Sequence, residues 1–140
     1  ISNKLSPHVL SNYGIERAVK NFTDTITCNK DFDISIDSNI SSVRFDYNIE
    51  TVVYRVVCEL ISNTIQHADA RLICISLQQN ATHLQLDYSD NGRGFVFDSL
   101  PDTGMGLSNI QSRVASLHGS CVIQSAPNKG FCANILIPIV

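Results

Sequence analysis

Residues 49–65, IETVVYRVVCELISNTI, decide how the fold is read. Ile49, Val52, Val53, Val56, Val57, Leu60, Ile61, Thr64 and Ile65 follow the alternating three-and-four spacing of one face of an α-helix. Valine and isoleucine are weak helix formers because their branched Cβ crowds the preceding turn, so burial against a core must hold this helix together. Beside the apolar stripe, Glu59 and Asn63 are one turn apart, and Gln66 and His67 continue the polar rim. A carboxylate and an amide oxygen at that spacing suit a hard divalent cation and its water. The competing explanation is a plain helix-surface ion pair between Arg55 and Glu59, worth ~0.3–0.5 kcal/mol.

Before this helix, Ile15, Ala18, Val19, Phe22 and Ile26 predict another helix over residues 14–27. Residues 32–37 alternate with period two and predict a half-buried strand. After it, Ile73, Ile75 and Leu77, then Leu84, Leu86 and Tyr88, predict a β-hairpin turning near residues 79–82. Leu107, Ile110, Val114 and Leu117 predict a helix that stops at Gly119, followed by strands over residues 120–125 and 130–139. The order helix, strand, helix, strand, strand, helix, strand, strand implies an α/β (α+β) two-layer sandwich: one mixed, mainly antiparallel sheet with helices on a single face. The first dozen residues hold Pro7 and little periodicity. The domain is expected over residues 13–140, with residues 1–12 as a linker.

The chain has 140 residues, 44% hydrophobic and 16% charged, which suits one globular domain with a true core. Ten Lys plus Arg against 13 Asp plus Glu give a net charge of -3, with no general attraction to a nucleic-acid backbone or an anionic membrane. No apolar run approaches the ~18 residues that span a bilayer, and no signal peptide is recognisable. A cytoplasmic location is expected. Cys28, Cys58, Cys74, Cys121 and Cys132 show no CxxC spacing, so neither a zinc site nor a disulfide framework is expected. Cys58, Cys74, Cys121 and Cys132 lie in apolar segments and are expected to be buried, reduced thiols.

Two glycine clusters bracket a long stretch without periodicity. Asp90, Gly92 and Gly94 follow a strand, and Gly104, Met105, Gly106 and Leu107 lead into a helix. Each cluster alone is explained by turn chemistry. Together, with free N–H groups at the helix start, they suggest a flexible cover over a phosphate-bearing ligand.

These clusters have the order and spacing of a known family. Glu59, Asn63, His67 and Ala68 resemble the N box of the GHKL, or Bergerat-fold, ATPases; Asp90, Gly92, Gly94 and Phe95 resemble their G1 box; Gly104, Met105, Gly106 and Leu107 resemble their G2 box. The ending, from Gly119 through Gly130 to Pro138, is similar to the last two strands of a histidine kinase catalytic domain. Leu5, Pro7, Leu10, Gly14, Ile15 and Ala18 resemble the junction that joins the dimerisation helices to the ATP-binding domain in nitrate-sensor-like histidine kinases.

The resemblance implies ATP and Mg²⁺ as cofactors and γ-phosphoryl transfer as the reaction. The acceptor would be a histidine on the dimerisation and phosphoacceptor domain of the same kinase, with a response regulator downstream. It implies Glu59 as general base, Asn63 as the Mg²⁺ ligand, His67 at the phosphate end and Asp90 as acceptor for the adenine amino group. Gly92 and Gly94 would let the backbone turn under the base, while Gly104 to Leu107 would bind nucleotide and hinge the lid. The piece would be monomeric and its parent a homodimer, which can be anchored in the inner membrane. His8, followed by Val9, lacks the acidic neighbour of a phosphoacceptor. Gln66 stands where relatives often have Lys, and Phe131 where Thr is usual; loss of that hydroxyl would remove about one hydrogen bond, ~0.5–1.5 kcal/mol, at the adenine-side carboxylate. Alternative readings are a nucleotide-gated binding module or pseudokinase, an anti-sigma-factor kinase, or an ATPase of the gyrase, mismatch-repair or chaperone kind. The short lid and the junction favour the histidine kinase.

Overall fold

A computed structural model describes residues 7–27, 33–41, 43–65, 72–92, 107–125 and 130–139. Helices α1 (Pro7–Tyr13), α2 (Ile15–Thr27), α3 (Tyr47–Asn63) and α4 (Leu107–Ala115) accompany strands β1 (Asp33–Ser38), β2 (Leu72–Gln79), β3 (His83–Asp90), β4 (Ser120–Ser125) and β5 (Phe131–Pro138). The sheet order is β1-β2-β3-β5-β4. β1 runs parallel to β2, and the remaining neighbours are antiparallel. The expected mixed, mainly antiparallel sheet is therefore observed.

Register explains the two layers. Ile75, Tyr88 and Ala133 stand opposite one another across β2, β3 and β5, as do Leu77, Leu86 and Ile135, and all are buried. Their neighbours along the strands, including Cys74, Gln85, Asn134 and Leu136, are exposed or half-buried on the other face. The period-two pleat thus makes one apolar face. α2, α3 and α4 close over it, with Ile15, Ala18, Val19, Val53, Val56, Val57, Leu60, Ile61, Ile110 and Val114 in the same core.

α3 begins at Asp46, whose side chain accepts the Asn48 N–H at 3.1 Å. Its buried set departs from the expected stripe at both margins. Glu50, Tyr54 and Cys58 are buried as well, whereas Ile65 is 44% exposed because the chain widens into a π turn at residues 64 and 65. Glu50 tolerates burial because Arg44 meets it twice, Nε to Oε2 at 2.8 Å and Nη2 to Oε1 at 2.9 Å, and the Phe45 N–H adds a third donor at 3.0 Å. The same guanidinium donates to the carbonyls of Leu10 and Ser11, at 3.3 and 3.0 Å. Part of the aperiodic amino-terminal stretch is thus helix: Pro7 opens α1 where its missing N–H costs nothing, and Leu10 enters the core.

The cysteine expectation needs correction. Among the described cysteines only Cys58 is buried; Cys74 is exposed, and Cys121 and Cys132 are intermediate. Cys74 and Cys132 belong to the outward phase of β2 and β5, so the apolar character of their segments does not describe their own side chains. Cys28 lies outside the described residues.

Candidate functional site

The inward phase of β3 runs Leu84, Leu86, Tyr88, Asp90. Three members are core side chains, and the fourth is a carboxylate at the strand end, paired in register with Ile73 and Phe131. A carboxylate continuing an apolar face must find donors, and the last turn of α3 supplies one. Thr64 Oγ1 donates to Asp90 Oδ2 at 2.9 Å, while the Gly92 N–H donates to Asp90 Oδ1 at 2.8 Å. The fold thus joins two sequence clusters, one at the end of α3 and one after β3, that lie 26 residues apart.

Behind this contact, the Tyr88 hydroxyl touches the Thr64 hydroxyl and donates to the Leu60 carbonyl at 3.1 Å. Thr64 and Tyr88 are 4% and 1% exposed. Burial pushes the Tyr88 phenol well above its usual range; the Thr64 bond opposes this, and the Asp90 charge adds to it. Tyr88 therefore remains a neutral hydroxyl at any physiological pH.

Phe131 is buried beside Asp90, its ring edge-to-face with Tyr88 at 6.2 Å and 72°. It brings no hydroxyl to the carboxylate, as expected from its residue type, yet Asp90 still has a hydroxyl donor, from Thr64. That contribution was missed in the sequence, where Thr64 reads as one more member of the helix stripe. Gly130 has φ +77°, and a Cβ there would lie 2.4 Å from the Asp90 carbonyl oxygen. Only glycine permits this approach of β5 to the end of β3. Asn91 locks the next residue by exchanging bonds with Leu72: its N–H donates to the Leu72 carbonyl at 3.1 Å, and its Oδ1 accepts the Leu72 N–H at 3.0 Å.

On α3, Asn63 is buried and Glu59, one turn earlier, is half-buried. The ion pairs among the described residues are Glu16–Lys20 and Arg44–Glu50, so the Arg55–Glu59 pair considered above does not form. No group of three His, Cys, Asp or Glu side chains among the described residues could hold a metal ion. The oxygens of Asn63 and Glu59 fit instead a hard cation that brings most of its ligands with it, as Mg²⁺ does with phosphates and water. Leu107 opens α4. Gln66, His67, Gly94, Gly104, Met105 and Gly106 lie outside the described residues.

A shallow depression of about 330 Å³, bordered by Ser35, Asp37, Cys74, Asp87, Cys132 and Asn134, lies on the free face of the sheet. The Asp90 carboxylate belongs to the opposite phase of β3, so that depression is separate from the site. Asp87 there is already bonded to Gln85 and Asn134, at 2.8 and 2.7 Å. No helix among the described residues is long and apolar enough to cross a membrane.

Comparison with known proteins agrees with this geometry. Residues 48–140 match the model of the family described as histidine kinase-, DNA gyrase B-, and HSP90-like ATPase. The chain is 33% identical over 140 residues to the oxygen sensor histidine kinase NreB of Staphylococcus carnosus, covering 99% of this chain but only 40% of that relative. Among solved structures, the catalytic domain of histidine kinase ThkA aligns with a TM-score of 0.71 at 17% identity, covering 88% of each chain. Acinetobacter baumannii histidine kinase AdeS aligns with a TM-score of 0.70 at 18% identity, covering 98% of this chain and 74% of that one. With the family model matching residues 48–140, the chain belongs to the histidine kinase-, DNA gyrase B- and HSP90-like ATPases.

Proposed function

We propose that the chain binds Mg·ATP and transfers the γ-phosphoryl group to a histidine on a dimerisation and phosphoacceptor domain, from which a response regulator is served. The observation that carries this reading is the junction of α3 with β3: Asp90, held by neutral donors, lies beside the turn that presents Asn63. Asp90 accepts a hydrogen bond from the adenine amino group, which a carboxylate recognises and a 6-oxo purine lacks. Gly92 and Gly94 let the backbone pass under the base. Asn63 holds the cation, His67 lines the phosphate end, and Gly104, Met105, Gly106 and Leu107 close over the nucleotide. Glu59 orients and deprotonates the attacking imidazole.

Bound Mg²⁺ supplies charge neutralisation of the phosphates. The protein supplies position: Asp90 fixes the base, and Glu59 meets the acceptor at the other end of the nucleotide. None of the four histidines precedes an acidic residue, so the acceptor is assigned to another domain. The chain spans about 40% of the length of the curated relative it matches, which leaves room there for such a domain. We place this domain in the cytoplasm, in a homodimeric parent that can be anchored in the inner membrane.

Glu59→Gln tests the assignment. ATP affinity should stay within about threefold while phosphotransfer to an added dimerisation domain falls by at least ~100-fold, in line with general-base contributions. Undiminished transfer would instead favour a nucleotide-gated binding module.

A further inference from the structure

Two hydroxyl protons serve three acceptors at the end of α3. Thr64 Oγ1 faces Asp90 Oδ2 at 2.9 Å and also touches the Tyr88 hydroxyl, which lies 3.1 Å from the Leu60 carbonyl. Thr64 has one proton to give. The charged carboxylate is the strongest acceptor in reach, so that proton goes to Asp90. Tyr88 must then be the donor toward Thr64 or Leu60, and its buried phenol keeps its proton to do so. Tyr88, anchored on the Leu60 carbonyl, thus backs the Thr64 hydroxyl on the side away from Asp90. On the other flank, Phe131 fills the register position opposite Asp90 with a ring and offers no donor.

We propose that Thr64 is the positioning residue that holds the adenine-reading carboxylate of Asp90 in its orientation, with Tyr88 behind it. The proposal rests on the assignment of Asp90 to the adenine amino group. Thr64 takes one oxygen and the Gly92 N–H takes the other, so the carboxylate plane is fixed at two points. Each oxygen keeps a lone pair for a ligand. Without the Thr64 donor, only the Gly92 N–H would hold the carboxylate, which could then turn about that single contact. Held at two points, the carboxylate aims its remaining lone pairs in one direction, so the choice between amino and oxo purines depends on a side chain that need not touch the base.

The test is the ratio of ATP to ITP dissociation constants in the full chain, measured with Mg²⁺ by calorimetry. Thr64→Val keeps the shape and removes the donor. ATP should weaken by about 3- to 10-fold, the equivalent of one hydrogen bond, and ITP by less than twofold. Thr64→Ser should restore the native ratio, which loss of packing alone would not achieve. If the valine variant does not fold, Thr64→Ala carries the same comparison. An unchanged ratio in the donorless variant, or a serine variant that behaves like it, overturns the proposal. Asp90→Asn separates the two layers of inference: if it too leaves the ratio unchanged, the assignment of Asp90 has failed and the role of Thr64 falls with it. If Asp90→Asn raises the ratio and Thr64→Val does not, only the role of Thr64 is lost.

Discussion

The two ends of α3 each meet a carboxylate, and the two are treated in opposite ways. At the first turn, Glu50 receives a bidentate guanidinium and a backbone N–H; near the last turn, Asp90 receives a threonine hydroxyl and a backbone N–H, both neutral. Glu50 is paired with a cation within the protein and holds three donors, two of them on Oε2. Asp90 has no ion pair among the described residues and holds two donors, one on each oxygen. Glu50 is thus tied into the fold by a cation, whereas Asp90, the carboxylate proposed to read the base, is oriented by neutral donors alone.

The largest expected effect separates these roles directly. Asp90→Asn should weaken ATP binding by roughly 10- to 100-fold, the worth of a hydrogen bond to a charged group, and move the melting temperature little. Glu50→Ala should do the reverse. It leaves the Phe45 N–H without its partner and removes the group that Arg44 grips, for a loss of about 1–3 kcal/mol and a melting point lower by about 4 °C per kcal/mol. If both variants lost nucleotide affinity equally, the contrast would not stand.

A third expectation concerns the contact that closes the ligand end. Gly130→Ala would bring a Cβ to 2.4 Å from the Asp90 carbonyl oxygen at φ +77°. The strain should cost about 1–3 kcal/mol and weaken ATP binding as well, because Asp90 must move. Calorimetric melting and nucleotide titration on the same sample read both.

Acid sharpens the contrast from the other side. Burial would raise the Glu50 pKa, but the bonds from Arg44 and Phe45 outweigh it and hold the carboxyl below its ordinary 4.5. Because the folded-state value is the lower one, this stabilisation is complete above the unfolded-state pKa. It is lost as the pH falls through the folded-state pKa. Denaturant melts from pH 6 downward should therefore show a steeper decline in the native chain than in Glu50→Ala, beginning near pH 4.5.

The smallest effect probes the middle of the helix. Burial pushes the Cys58 thiol up to about 12, against the opposing influence of the Tyr54 bond and the Arg55 charge. At pH 8, iodoacetamide should modify exposed Cys74 at least ~100-fold faster than Cys58, as peptide mapping would report. Glu50→Ala should narrow that difference and Asp90→Asn should not.

Much of this architecture is legible in the sequence because its signals are periodic. Four turns of spaced valines and leucines announce α3, and alternation announces the hairpin. The cysteine assignment shows how phase matters: Ile73, Ile75 and Leu77 already place Cys74 outward, although its segment is apolar. α1 has too few residues to display a period, and its attachment to the fold comes from Arg44, 33 and 34 residues away. Glu59, Asn63 and Asp90 are visible as residues of suitable chemistry at suitable spacing. Thr64 is not, because its partners lie on β3, 24 and 26 residues away, and only the sheet brings them to it.

The grip of Arg44 has a mechanical side. Through one guanidinium, the carbonyl end of α1 is fastened to the first turn of α3, a shorter path than the covalent chain through α2 and β1. α1 is therefore fixed to the domain by Arg44, by Leu10 in the core and by the short link at Gly14. The carbonyl end of α1 and the first turn of α3 thus share one anchor, so a substitution at Arg44 would loosen both at once.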